Sequence, residues 1–131
     1  MSQENVELHY QSIDAVNRRD LEAFLALMDE DVEAVSRIVA VEGGLHGHDG
    51  IRSWWDNWFE TWPDYKIKVV GMRDMGDMTI ATISAVGHGA GSEVPFEDNA
   101  WLACRWRYGK CSWWQVFRAE AEALEAAGLR E

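Results

Sequence analysis

The run Ile51-Arg52-Ser53-Trp54-Trp55-Asp56-Asn57-Trp58-Phe59-Glu60-Thr61-Trp62-Pro63 is followed almost at once by Tyr65-Lys66-Ile67-Lys68-Val69. In the first stretch Ile51, Trp54, Trp55, Trp58, Phe59 and Trp62 recur at i, i+3, i+4, i+7, i+8 and i+11, the period of a helix with one broad apolar face. Pro63 ends it, because the residue before a proline is pushed out of the helical region. The second stretch alternates apolar and polar residues strictly, as a half-buried strand does. The period changes from 3.6 to 2 within a few residues, so helix and sheet belong to one α+β unit.

Upstream, Ser2 can cap a helix running to about Asn17, with Val6, Tyr10, Ile13 and Asn17 along one face. Arg18-Arg19 break it, Asp20 caps a second helix, and Leu21, Phe24, Leu25 and Met28 share its apolar stripe. Val32 to Ala40 is rich in β-branched residues and reads as a first strand or an irregular extended segment. Gly43-Gly44-Leu45-His46-Gly47-His48-Asp49-Gly50 is a glycine-rich loop ending in Asp49 as the cap of the tryptophan helix. Downstream, Gly76-Asp77 turns the chain into a strand over Met78 to His88. Further strands are expected over Phe96 to Arg107 and Cys111 to Phe117, joined through Tyr108-Gly109. Glu120 to Ala127 forms a last helix, closed by Gly128 with Leu129 folding back on Leu124. Helices gathered early and strands late indicate helices covering one face of a curved antiparallel sheet.

The 131 residues are expected to form one domain, 1–131, with one pocket. Twelve Lys and Arg against 23 Asp and Glu leave a net charge of −11, a field that repels phosphate backbones and anionic lipid. Nucleic-acid and membrane partners are therefore not expected. No apolar run is long enough to span a bilayer, and Met1-Ser2-Gln3-Glu4 lacks the basic and apolar parts of a signal peptide, so a cytoplasmic location is expected. With the hairpin centred on Tyr108-Gly109, Cys104 falls opposite Trp113 and Cys111 opposite Trp106, an offset that argues against a disulfide. No metal is expected at these cysteines or at His46, His48 and Asp49, which lack a spaced set of further ligands.

Asn5-Val6-Glu7, Asn17-Arg18-Arg19-Asp20-Leu21, Asp29-Glu30-Asp31-Val32, Gly47-His48-Asp49-Gly50-Ile51, Trp62-Pro63-Asp64, Gly109-Lys110 and Glu122-Ala123-Leu124-Glu125-Ala126-Ala127-Gly128-Leu129 stand in an order that matters more than any one motif. In that order and spacing the chain resembles the SnoaL-like branch of the nuclear transport factor 2-like (NTF2-like) superfamily. The resemblance implies a cone of N-terminal helices packed in a strongly curved antiparallel sheet, open at one end onto an apolar pocket, and a homodimer formed through the sheet. It implies little about chemistry, since this fold serves isomerases, cyclases, dehydratases, epoxide hydrolases and proteins without catalysis. The positions that carry the tyrosine and the base in ketosteroid isomerases hold Ser12 and Ser36 here. Arg18 and Asp20, the Arg-x-Asp that the epoxide hydrolase pattern would need on a strand, sit at a helix turn. The cyclase pattern, a strand aspartate with a histidine on the neighbouring strand, points to Asp98 and His88.

Alternation groups His88 with Ile80, Thr82, Ser84 and Val86, which would aim it into the cone, where a histidine can shuttle a proton if a carboxylate orients its ring. His88 and Asp98 are accordingly the candidate catalytic pair. Tyr10, Phe24, Trp58, Trp101, Arg105 and His46 are the candidate ligand-binding residues, with Arg105 read as an anion or enolate stabiliser and His46 at the mouth. Trp113 and Trp114 must point to opposite faces of their strand, and the outward indole is a candidate dimer anchor. The function expected is a pocket protein for a small apolar molecule. It is either an acid/base enzyme without a cofactor (a cyclase, isomerase or dehydratase acting on a compact carbonyl compound), or a non-catalytic binder, or a dimerisation module with a vestigial pocket.

Overall fold

A computed structural model describes residues 2–35, 44–93 and 95–128. Helix α1 spans Ser2–Arg18 and α2 spans Leu21–Ala26. Strand β1 is Met28–Val35 and β2 is Leu45–His46, followed directly by α3 over Gly47–Thr61. Then come β3 (Lys66–Asp74), β4 (Met78–His88), β5 (Pro95–Arg107), β6 (Lys110–Phe117) and α4 (Glu120–Ala126). The strands form one curved, unclosed sheet in the order β2-β1-β6-β5-β4-β3. Among the described residues every pairing is antiparallel except β1 with β6, which is parallel. The expected α+β cone is thus present, with a mixed sheet in place of a purely antiparallel one. Among the described residues no helix is long and apolar enough to cross a membrane.

The turn between α1 and α2 shows how the sequence fixes the helices on the sheet. The Asn17 side chain pairs with the backbone of β3, donating from Nδ2 to Ile67 O at 2.8 Å and accepting from Ile67 N at 2.8 Å. Arg19 takes a positive φ of 61° and donates to the carbonyls of Val16, Pro63 and Tyr65. Its guanidinium lies 4.0 Å over the Phe59 ring. The Asp20 carboxylate accepts from Ala23 N at 3.1 Å, the expected cap of α2.

Two boundaries differ from expectation. The first strand begins at Met28, four residues earlier than expected, because α2 ends at Ala26 and the Asp29 side chain accepts from Asp31 N to shape an irregular entry. Its expected continuation to Ala40 lies outside the described residues, as does Leu129. Helix α3 starts at Gly47, so Asp49 is within its first turn, where a carboxylate favours the positive helix end, and the cap position is His46.

Residue parity sorts the sheet's two faces. The inner face carries Thr79, Ala81 and Ile83 of β4, Ala100, Leu102 and Cys104 of β5, and Trp114 and Val116 of β6. It packs on α1, α2 and α3 through Ile13, Val16, Phe24, Ile51 and Trp55. The outer face carries Met78, Ile80, Ala103, Trp101, Trp113 and Phe117, and α4 covers part of it through Ala123, Leu124 and Ala127. Tyr108 and Gly109, at φ 52° and 78°, make the two-residue hairpin turn expected there. A bulge between Arg105 and Trp106 shifts the register by one. Cys111 therefore faces Trp106 as expected, whereas Cys104 faces Trp114 and not Trp113.

Candidate functional site

A cavity of about 50 Å³ lies between the three N-terminal helices and the inner face of the sheet. Its wall is made by Ile13, Val16, Phe24, Met28, Trp54, Leu102, Trp114 and Val116, with Ser12 and Cys104 as its polar members. Helix spacing puts Ser12, Ile13 and Val16 on one side of α1, and strand alternation brings Leu102 and Cys104 beside Trp114 and Val116. Trp54 crosses from α3 to meet Trp114 edge-on at 5.3 Å between ring centres. One water-sized guest needs about 10–15 Å³, so the space admits a small molecule and not a fused-ring one without rearrangement.

Behind Cys104 runs a buried polar chain. The Trp106 indole donates to Thr79 Oγ1 at 2.8 Å, Thr79 Oγ1 lies 2.7 Å from His9 Nδ1, and His9 Nε2 lies 3.5 Å from Cys104 Sγ. Cys111 donates to the Trp113 carbonyl. One direction of donation runs through the chain: Trp106 N–H to Thr79, Thr79 O–H to His9 Nδ1, and His9 Nε2–H to Cys104. Burial holds the His9 ring neutral by pushing its pKa down to about 3. Burial also pushes the Cys104 thiol up, and its hydrogen bond with Cys111 adds to this. A weak base beside a reluctant thiol does not make a thiolate, so Cys104 is a packed wall group and not an activated nucleophile. Both cysteines are free.

The expected catalytic pair is not brought together. In the β4/β5 register Ala85 faces Asp98, whereas His88 faces Pro95. Three residues separate the two positions along the strand, about 10 Å, and the odd offset sends the side chains to opposite faces. His88 lies on the outer face with Ile80, not inside the cone. It meets Asp64 instead: Nδ1 is 2.8 Å from Oδ2, and its backbone N–H donates to Oδ1 at 2.8 Å. This pair is half exposed, and the histidine hydrogen bonds hold the Asp64 carboxyl below its ordinary range. Gly87 permits the approach, since a Cβ there would stand 3.2 Å from Asp64 Oδ1 and from Tyr65 Cα. Asp98 is half-buried at an inner-face position of β5.

Of the expected ligand-binding residues, Phe24 forms part of the cavity wall. Trp58 lies one layer away, stacked on Trp54 at 6.3 Å and edge-on to Tyr65 at 5.1 Å. Tyr10 is 45% exposed on α1. Trp101 and Arg105 are on the outer face, where Arg105 lies 5.6 Å from the Trp113 ring. His46 is exposed beside Glu33 at 3.0 Å. Sequence reasoning missed His9, Ser12, Thr79 and Cys104. The signal was the set of positions 9, 12, 13 and 16, a helical stripe in which two of four members are polar.

The profile of the SnoaL-like domain matches residues 10–114, a segment that includes most of the sheet and every described cavity-wall residue except Val116. The chain belongs to the SnoaL-like domain family. Among solved structures, this SnoaL-like chain is similar to an NTF2-like protein of unknown function from Burkholderia pseudomallei. The two share 17% identity over 93% of this chain and 95% of that one, with a TM-score of 0.80. It is also similar to a proposed SnoaL-like polyketide cyclase from Jannaschia (14% identity, 98% and 94% covered, TM-score 0.79). A third relative, from Catenulispora acidiphila, has a ketosteroid isomerase-like fold and was crystallised with trimethylamine (18% identity, 95% and 94% covered, TM-score 0.77). At these identities the likeness establishes the fold. No curated protein matches the sequence significantly.

Proposed function

We propose that this SnoaL-like protein binds a compact apolar molecule in the cavity between α1, α2, α3 and the sheet. The observation that carries the reading is the wall itself: among the described residues it has eight apolar side chains with only Ser12 and Cys104 beside them, and no carboxylate, lysine or histidine. A small, largely apolar pocket favours a neutral hydrophobic guest, because an ion would lose its hydration without a partner. Native mass spectrometry of the protein purified from its host tests for a retained guest, and xenon-induced shifts of the cavity methyl resonances test for the space. Xenon shifts at Val16, Met28 and Val116, with or without a retained mass, support the reading. A protein that takes up neither xenon nor a small hydrocarbon overturns it.

A second reading, an acid/base enzyme that turns over a compact carbonyl compound without a cofactor, is favoured by one observation. Asp64 holds His88 Nδ1 at 2.8 Å, an arrangement that fixes the ring and leaves Nε2 for proton transfer. His88 and Asp98 remain the residues to test in it. Loss of turnover of an identified substrate in His88→Ala and Asp98→Asn supports it, and unchanged turnover removes both from the mechanism.

In either reading the partner is a second copy of the chain, docked on the part of the outer sheet face that α4 leaves uncovered. Half-buried Trp101, Trp113 and Phe117 support this, since indoles concentrate at interface centres. Two buried unpaired thiols support a cytoplasmic location.

A further inference from the structure

The ten residues around the cavity are unequally buried. Among the described residues seven of them, Val16, Phe24 and Met28 included, are no more than 5% exposed. Within that wall only Trp54, Leu102 and Val116 are half-buried. These three are neighbours in space. Leu102 and Val116 are direct cross-strand partners at inner-face positions of β5 and β6. Trp54 reaches the same place from α3 through its edge-on contact with Trp114, which stands two residues before Val116 on the same side of β6. A wall closed elsewhere thus approaches solvent at one place, between a helix side chain and a cross-strand pair.

From this we infer that Trp54, Leu102 and Val116 form the entrance through which a guest exchanges, and that the Leu102–Val116 pair sets its width. The inference rests on the pocket reading above and adds to it the route and the residues that select by cross-section. Trp54 is the fixed side of the opening. Trp58 stacks on it at 6.3 Å with the planes 26° apart, and Phe24 lies 6.3 Å away, so the indole cannot swing without displacing a second ring. On the other side the strand backbones are held by their ladder, and the Leu102 and Val116 side chains are what must yield. Passing them displaces a few methyl groups, whereas a path through the deep wall opens several close-packed contacts at once. A slender guest therefore enters faster than a branched one of equal volume.

The test measures xenon entry and release rates by ¹²⁹Xe saturation-transfer NMR in a matched pair of variants. Val116→Ala and Val16→Ala delete the same atoms from the same cavity wall, one at the entrance and one at depth. Val116→Ala is expected to speed entry and release together by roughly tenfold, the rate equivalent of two methyl groups no longer pushed aside. Val16→Ala is expected to change release more than entry, since it alters the space a guest occupies and not the way in. Val116→Ile, which adds a methyl group to the opening, should slow both rates. Exchange indifferent to Val116, or sped equally by the two alanines, overturns the inference and leaves the pocket reading standing. Absence of xenon binding in every protein overturns both. Should an alanine variant fail to fold, Val116→Ile decides: slower exchange supports the entrance, and unchanged exchange overturns it.

Discussion

His9 Nδ1 stands 2.7 Å from Thr79 Oγ1, and both residues are fully buried, so this contact ties the middle of α1 to the start of β4 without solvent. Its consequence is a pH dependence of known sign. Folded His9 stays neutral down to about pH 3, whereas the unfolded ring takes a proton below about 6.5. Between those values the unfolded chain binds more protons, so stability present above pH 6.5 is lost as pH falls, by up to about 1.4 kcal/mol per unit from this group. Urea midpoints measured from pH 7 to 5 are expected to drop with that slope, and His9→Asn should flatten it by one proton. Ring resonances of His9 in the wild-type protein that titrate near pH 6.5 would contradict the assignment.

Asn17 is predicted to be worth more than its half-buried position suggests. Its amide makes both hydrogen bonds that a neighbouring strand would make to Ile67, so truncation leaves a backbone N–H and a C=O of β3 unpaired at once. Asn17→Ala is expected to cost about 1–3 kcal/mol in chemical denaturation. Asn17→Asp should recover only part, since the carboxylate accepts from Ile67 N but cannot donate to Ile67 O. Equal stability of all three proteins would show that the edge contact contributes nothing.

These two residues also mark what could be read in advance. Asn17-Arg18-Arg19-Asp20-Leu21 is a local device whose cap, positive φ and break are written in neighbouring residues, and the tryptophan periodicity of α3 is strong enough to survive any packing. His9 is hidden because the buried stripe of α1 is 9, 12, 13, 15 and 16, and an apolar count prefers the stripe of Val6, Tyr10 and Ile13. His88 was misplaced for another reason. Alternation gave its strand-mates correctly, but which face is inner depends on α4 covering Ile80, a contact distant in sequence. Whether His88 meets Asp98 depends on the parity of the β4/β5 register, which no single strand encodes.

Asp64 offers a check on the outer pair. The His88 ring and backbone N–H both stabilise its carboxylate, so its folded pKa lies below the ordinary 3.8. Its contribution to stability is therefore present above that value and is lost as pH falls through the lowered one. Carbon-detected NMR should show Asp64 titrating below typical exposed aspartates. In His88→Ala the value should rise toward 3.8 while the backbone bond keeps it from returning completely. An unshifted Asp64 in the wild-type protein would mean the pair is not formed in solution.

On the outer sheet face, Trp113 has Arg105 5.6 Å from its ring and Phe117 four residues along the strand, with ring centres 6.4 Å apart. If a second copy docks there, a further positive charge at the centre is incompatible with it, because it would be desolvated beside the like charge of Arg105. Sedimentation equilibrium is expected to give a dimer for the wild-type chain and a folded monomer for Trp113→Lys, with Arg107→Glu as a surface control that stays dimeric. A wild-type monomer at micromolar concentration, or a dimer unaffected by the lysine, removes this face as the interface.

Phe24 is the one expected ligand-binding residue found in the cavity wall, and it also packs against Trp54 and Trp55 with ring centres 6.3 and 5.4 Å apart. Phe24→Ala removes a ring that touches both the guest space and α3, and the void it leaves is continuous with the existing one. The loss is expected to be about 3–5 kcal/mol, the range for deleting a buried aromatic side chain. The same change should enlarge the cavity enough to accept benzene, which the wild-type space of about 50 Å³ does not hold. Benzene should then raise the denaturation midpoint of Phe24→Ala and leave that of the wild-type protein unchanged, since a guest stabilises only the state that binds it. Phe24→Leu, retaining more volume, should lose less stability and gain less from benzene. If the alanine variant is destabilised but indifferent to benzene, α2 has collapsed onto the sheet, and the cavity depends on Phe24 as a spacer between α2 and Trp54.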